Sequence, residues 1–170
     1  MLSNIINCQF HQIILNTADE IIHKLFRYCA YQERCRQEVR KKMREWGADP
    51  AEYDLIIEYL EEENFLNEAR FARAFAGGKF RVKRWGRHKI RNELRKRNID
   101  SRLIERAFIR EIPDEAYLNT LEYLMSKRVN FDGDLISLEE RQKLFKYLQQ
   151  KGYEWDLIQA VWKNNKGDNP

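Results

Sequence analysis

The sequence predicts an all-α protein of three tandem three-helix repeats, packed as an elongated array, straight or curved. Three observations carry that prediction. Helix-capping residues punctuate the chain from Thr17 onward. Only 3 Pro and 7 Gly interrupt its 170 residues. One apolar pattern also recurs at an interval of about fifty residues. Val39, Met43, Gly47 and Ala48 align with Ile90, Leu94, Asn98 and Ile99, and again with Leu144, Leu148, Gly152 and Tyr153. In each copy an i, i+4 apolar pair faces inward on a helix, and a Gly or Asn follows where a left-handed cap is favoured. A third helix then carries Leu55/Ile56, Leu103/Ile104 or Leu157/Ile158. One such unit buries too little surface alone, so neighbours must stack.

The elements follow in order. Residues 1–17 form an extension whose ragged alternation predicts a loose segment or a short strand. It lacks a basic leader and is interrupted by Asn4, Asn7, Gln9, His11, Gln12 and Asn16, so it is neither signal peptide nor membrane span. The first repeat, 18–63, opens at Thr17, which has capping-box spacing to Glu20. It holds helices at 18–29, 32–45 and 51–62, the last begun by Asp49-Pro50. The second, 64–112, holds helices at 67–82, 87–97 and 101–110, with Asn67 and Asp100 at two of the starts. Gly77-Gly78 should kink or end the first of these, since each glycine costs about 1 kcal/mol inside a helix. The third, 113–165, starts at Pro113, has a second capping box in Ser137 and Glu140, and holds helices at 114–128, 137–150 and 154–163. Residues 166–170 are a tail.

Composition narrows the function. Hydrophobic residues at 43% and charged residues at 34% exclude wholesale disorder, and the length excludes a large multidomain enzyme. The net charge of +4 hides a segregation. Lys79, Arg81, Lys83, Arg84, Arg87, Lys89, Arg91, Arg95, Lys96 and Arg97 lie in one stretch with a single acid, Glu93, which leaves the remainder net acidic. Such focused charge points to a polyanionic partner or an acidic protein surface. At 100° per residue, Arg87, Arg91 and Arg95 share one stripe beside Ile90 and Leu94. With Glu93 the sole nearby acid, that stripe reads as free to bind phosphates or carboxylates bidentately. Arg81, Lys83, Arg84 and Lys89 supply a supporting field, and Phe80, Trp85 and His88 can stack or donate. Phe65, Leu66, Phe71 and Phe75 read as core around a helix start, with Arg70 as a half-buried organiser pairing with an acid such as Glu62 or Glu63.

No catalytic constellation emerges. Cys8, Cys29 and Cys35 show no Cys-x-x-Cys spacing and suit a reduced, cytoplasmic setting. Together with His11 and His23 they match no usual zinc pattern. His88 has no triad partners. Asp132-Gly133-Asp134 reads as a plain turn rather than a calcium loop. The absence of a long heptad seam favours a monomer.

The segment Phe65-Leu66-Asn67-Glu68-Ala69-Arg70-Phe71-Ala72-Arg73-Ala74-Phe75, then Trp85-Gly86-Arg87-His88-Lys89-Ile90-Arg91-Asn92-Glu93-Leu94 and Asn98-Ile99-Asp100, resembles the central motif of the RecX family, bacterial regulators of the RecA recombinase. Glu38-Val39 with Lys42-Met43, and Leu148 with Lys151-Gly152-Tyr153, are similar to its first and last repeats. The resemblance covers residues 18–163. Phe65, Leu66, Arg70, Phe71, Phe75, Gly86, Ile90, Glu93 and Leu94 are its motif residues here and are mostly structural. It implies a cytoplasmic, non-enzymatic protein without cofactor or small-molecule substrate, acting in DNA repair, recombination and the SOS response. Its partner would be the RecA filament on single-stranded DNA, with or without direct DNA contact, and its usual effect a lowering of recombinase, ATPase and coprotease activity. Asn67-Glu68-Ala69, Gly77-Gly78 and Asn98 depart from the family pattern. The first two bear on partner binding more than on fold. A stand-alone nucleic-acid-binding module using the same cations is the alternative; an enzyme has no motif support.

Overall fold

The computed structural model describes residues 20–131 and 136–166. The extension, the Thr17 capping box, Cys8, His11 and the Asp132-Gly133-Asp134 turn lie outside the described residues. Among the described residues every regular element is a helix. Helix α1 covers residues 20–31. It is followed by α2 (Arg36–Glu45), a 3-10 turn (Pro50–Glu52), α3 (Tyr53–Glu62), α4 (Glu68–Lys83), α5 (Arg87–Arg95), α6 (Ser101–Glu111), α7 (Asp114–Ser126), α8 (Leu138–Lys151) and α9 (Trp155–Lys166). The molecule divides into two compact units between Phe71 and Ala72.

The recurring sequence pattern turns out to be a recurring hydrogen-bond motif. Gly47, Asn98 and Gly152 all adopt the left-handed conformation, with φ of 79°, 59° and 95°. At the end of α2 the Ala48 N–H donates to the Met43 carbonyl at 3.0 Å and the Gly47 N–H to Arg44 at 3.3 Å. The same pair of bonds closes α5, from Ile99 to Leu94 (3.2 Å) and Asn98 to Arg95 (2.9 Å), and α8, from Tyr153 to Leu148 (3.1 Å) and Gly152 to Gln149 (2.9 Å). Each is a Schellman cap, in which the residue after the left-handed one folds back onto the helix interior. That explains why Met43, Leu94 and Leu148 are fully buried, with Ala48, Ile99 and Tyr153 almost so. Full burial of such a side chain contributes about 1.5–3 kcal/mol.

The first unit gathers Leu25, Val39, Met43, Ile56 and Leu60 around this cap, with Phe26 and Phe65 tilted at 4.4 Å along its edge. Arg36 joins α2 to α3 through a two-pronged pair with Glu61 at 2.6 and 2.7 Å. Arg70 organises the same unit, with a correction to its partner. Its Nε donates to Glu33 at 2.8 Å and its Nη2 to the Asn64 carbonyl at 2.7 Å, rather than pairing with Glu62 or Glu63. Those two acids sit on the exposed end of α3, whereas Asn64 turns back with φ of 60°. Cys29 and Cys35 are buried free thiols; burial pushes Cys29 up to about 11 and raises Cys35, so both stay protonated at neutral pH.

In the second unit α4 runs unbroken through Gly77-Gly78, against the expectation of a kink or early end. A Cβ at Gly77 would lie 2.5 Å from the Arg81 guanidinium and 2.7 Å from the Glu111 carboxylate, whereas one at Gly78 would meet nothing within 4 Å. Glycine at 77 leaves room for the ion pair that ties α4 to the end of α6. Asp100 and Ser137 cap their helices as the sequence predicts, Asp100 accepting from the Arg102 N–H at 2.7 Å and Ser137 forming a complete capping box with Glu140.

Candidate anion-contact site

The basic stretch folds as the end of α4, a three-residue turn at 84–86 and the whole of α5. The turn forms because Arg84 takes a left-handed conformation, φ 50°, and Gly86 follows as the N-cap of α5. Gly86 has no side chain to cap with, and none would fit: a Cβ there would stand 2.2 Å from the Gly152 carbonyl group. The start of α5 abuts the end of α8. Gly86 donates to the Lys151 carbonyl at 2.8 Å and His88 to that of Gly152 at 3.1 Å, while Lys89 Nζ donates to Gln150 at 3.2 Å. Donors that a helix start leaves unpaired thus satisfy acceptors that a helix end leaves unpaired, with their dipoles favourably opposed.

Between these two donors, the Arg87 N–H donates to the Tyr117 hydroxyl at 2.9 Å, which in turn donates to Glu154 at 2.7 Å. Burial first, then the Glu154 carboxylate beside it, pushes the Tyr117 phenol above its ordinary value, so it stays a donor. Its ring stacks on Tyr153 at 5.0 Å. Tyr153 donates to the Arg84 carbonyl at 3.4 Å, and Lys151 Nζ to that of Lys83 at 3.1 Å. The Trp85-Gly86-Arg87 and Lys151-Gly152-Tyr153 sequences are therefore two halves of one joint.

This joint engages the cations that the stripe was expected to offer. The Arg87 guanidinium donates to the Ile112 carbonyl at 2.7 Å and to Asp114 at 2.6 Å, and lies 4.4 Å from the Tyr117 ring centroid. Arg91 holds Glu105 through two bonds of 3.0 and 3.2 Å and lies over Phe108. Their side chains are only 24% and 21% exposed. Arg81 pairs with Glu111 at 3.1 Å. The expectation of a freely presented Arg87–Arg91–Arg95 stripe is corrected accordingly. Glu93 was never the relevant counterion; Lys96 and Arg97 occupy it, and their hydrogen bonds hold its carboxyl below its ordinary value. The neutralising acids come from α6 and the start of α7, residues the fold brings to the stripe. Phe80, offered as a stacking group, is buried against Tyr117 at 6.0 Å.

What stays outward is a shorter set. Lys83, Arg84, His88 and Arg95 are exposed, and among the described residues none of them has an acidic partner. Lys89 is half-buried with its ammonium 4.7 Å from the Trp85 ring centroid. The motif residues Leu66, Phe71, Gly86, Ile90 and Leu94 are buried, and Phe65, Arg70, Phe75 and Glu93 half-buried, as structural roles require. Tyr117 and Glu154 escaped the sequence reading, and Tyr153 was read there only as part of the repeat and of the last-repeat resemblance; the signal for this site was that an aromatic follows the cap. Among the described residues no group of three or more His, Cys, Asp or Glu could hold a metal, and no helix is long and apolar enough to cross a membrane.

Helical triplets in tandem, each with its second helix closed by the same left-handed cap, and with a cationic face on the central one, define a protein of three consecutive three-helix domains. Family models for the first, second and third three-helix domains of RecX match residues 22–60, 67–107 and 114–162. The chain belongs to the RecX family. It is 29% identical over 140 residues to the regulatory protein RecX of Prosthecochloris aestuarii, covering 82% of this chain and 89% of that one. It is 28% identical over 158 residues to the regulatory protein RecX of Pseudomonas syringae pv. tomato, covering 92% and 98%. The crystal structure of RecX from Lactobacillus salivarius shares the fold, with a TM-score of 0.77 at 22% identity, over 89% of this chain and 97% of that one.

Proposed function

We propose that this chain binds RecA filaments assembled on single-stranded DNA and lowers their recombinase, ATPase and coprotease activity, without catalysing a reaction itself. The observation that carries this reading is the tandem order of first, second and third RecX domains over residues 22–162, in a family whose members are named regulatory proteins. The protein works as a cytoplasmic monomer. Lys83, Arg84, His88 and Arg95 supply the contact with acidic or phosphate groups, because they are the exposed members of the basic stretch without an acidic partner. Arg81, Arg87, Lys89 and Arg91 hold α4, α5, α6 and α8 in place beneath them. Bridging neighbouring subunits restrains the motions that ATP turnover needs, or favours disassembly, and either route lowers activity.

The test is RecA ATPase on single-stranded DNA with increasing amounts of the protein. A dose-dependent fall is expected, steeper at low salt, because screening weakens exposed charge pairs. Unchanged turnover together with no co-sedimentation on RecA filaments would overturn the reading.

A further inference from the structure

Beside the joint, the ends of α4 and α7, the turn after α7 and the outer face of α8 bring four cations onto two tyrosine rings. Arg84 lies 4.7 Å and Lys127 5.5 Å from the Tyr123 ring centroid. Arg128 lies 3.7 Å and Lys151 5.6 Å from that of Tyr147. The two clusters are tied together, since Tyr153 and Lys151 donate to the adjacent carbonyls of Arg84 and Lys83. Tyr123 is 42% exposed, Arg84, Lys127 and Arg128 are exposed, and Tyr147 and Lys151 are half-buried. Among the described residues no acid pairs with any of the four cations, although ion pairs recur elsewhere, as at Arg36–Glu61, Arg87–Asp114 and Arg91–Glu105.

We propose that this surface is a site for single-stranded nucleic acid, in which Arg84, Lys127, Arg128 and Lys151 hold backbone phosphates while the Tyr123 and Tyr147 platforms stack unpaired bases. Cations alone would suit an acidic protein equally well. The paired rings decide between the two, because every base has a face to stack, and bases stack on guanidinium planes as they do on aromatic rings. Both rings already carry a guanidinium, so each platform is a layered cation and ring rather than an isolated tyrosine. Duplex DNA, whose bases are already stacked, has no use for such platforms. The inference requires no second protein, and of the contact residues proposed for the RecA filament it uses only Arg84.

The experiment is fluorescence anisotropy of a labelled oligothymidylate with the full chain, RecA absent, across a salt series. Four phosphate contacts predict a log–log salt slope near about −3, at about 0.7 per contact. The double variant K127Q/R128Q should flatten that slope by about 1.4. Y123L/Y147L should weaken binding about tenfold per ring lost while keeping the slope. K24Q/K41Q, with the same loss of charge in the first unit, should match the parent, and helical circular dichroism checks that each variant folds. Failure to bind at low salt overturns the proposal, as does equal weakening by patch and control variants. So does a loss of affinity for polyglutamate, but not for oligothymidylate, in the patch variants, which would mark an acidic-protein surface instead. RecA ATPase measured on the same proteins reports separately on the regulatory reading.

Discussion

A left-handed residue has a different cost depending on what its missing side chain would touch, and this chain contains both extremes. At Gly47, with φ of 79°, a Cβ would meet nothing within 4 Å, so Gly47→Ala should cost only the backbone penalty of about 1 kcal/mol. At Gly152, with φ of 95°, a Cβ would lie 2.4 Å from the Lys89 Cβ and 2.6 Å from its backbone nitrogen. Gly152→Ala must therefore push α5 away from α8 and break the bonds of Lys151 and Gly152 to Gly86 and His88, for a cost of about 3 kcal/mol or more. Urea unfolding of the two variants distinguishes them; equal losses would show that the joint tolerates a shift. Asn98 fills the same conformation in the second repeat at φ 59°, and Asn is the other residue that accepts it readily.

Each helix end is explained by what accepts or donates there. Where sequence supplies a capping side chain, the helix begins without help from elsewhere, as with Asp100 on α6 and Ser137 on α8. Ser137→Ala should lower stability by about 1 kcal/mol, read as a shift in thermal or urea midpoint, since the Glu140 N–H loses the hydroxyl that accepts from it, while the reciprocal bond from the backbone N–H of residue 137 to the Glu140 carboxylate remains. Where sequence supplies none, a neighbour must. Helix α5 starts at Gly86 with no acid in its first turn, and its donors are met by the carbonyl end of α8. That division accounts for the two elements misjudged from composition. Helix α4 passes through Gly77-Gly78, where the Arg81–Glu111 ion pair lies against the space that Gly77 leaves, and α5 holds a basic face without repulsion because acids from α6 and α7 meet it.

At the scale of the whole molecule, the cations gathered in one stretch of the sequence are divided between holding the fold and facing outward. Arg87→Ala should destabilise the second unit by about 1–3 kcal/mol, through loss of the Ile112 and Asp114 bonds and of packing on Tyr117. Arg95→Ala should stay within about 0.5 kcal/mol and yet reduce inhibition of RecA ATPase. Paired unfolding and ATPase measurements check both, and the reverse pattern would return Arg87 to the contact surface. The all-helical class, the left-handed caps and most helix starts were legible in the sequence, because each depends on residues within about five positions of one another, and the three repeats were legible because that local pattern recurs about every fifty residues. Periodicity, caps and turns are local physics. The counterions of Arg87 and Arg91, the partner of Arg70, the joint of Gly86 with Gly152 and the cation-and-ring surface around Tyr123 and Tyr147 were decided only by tertiary structure. They link side chains as many as sixty-nine residues apart, and no local pattern records which distant acid, carbonyl or ring a folded chain sets beside a given cation.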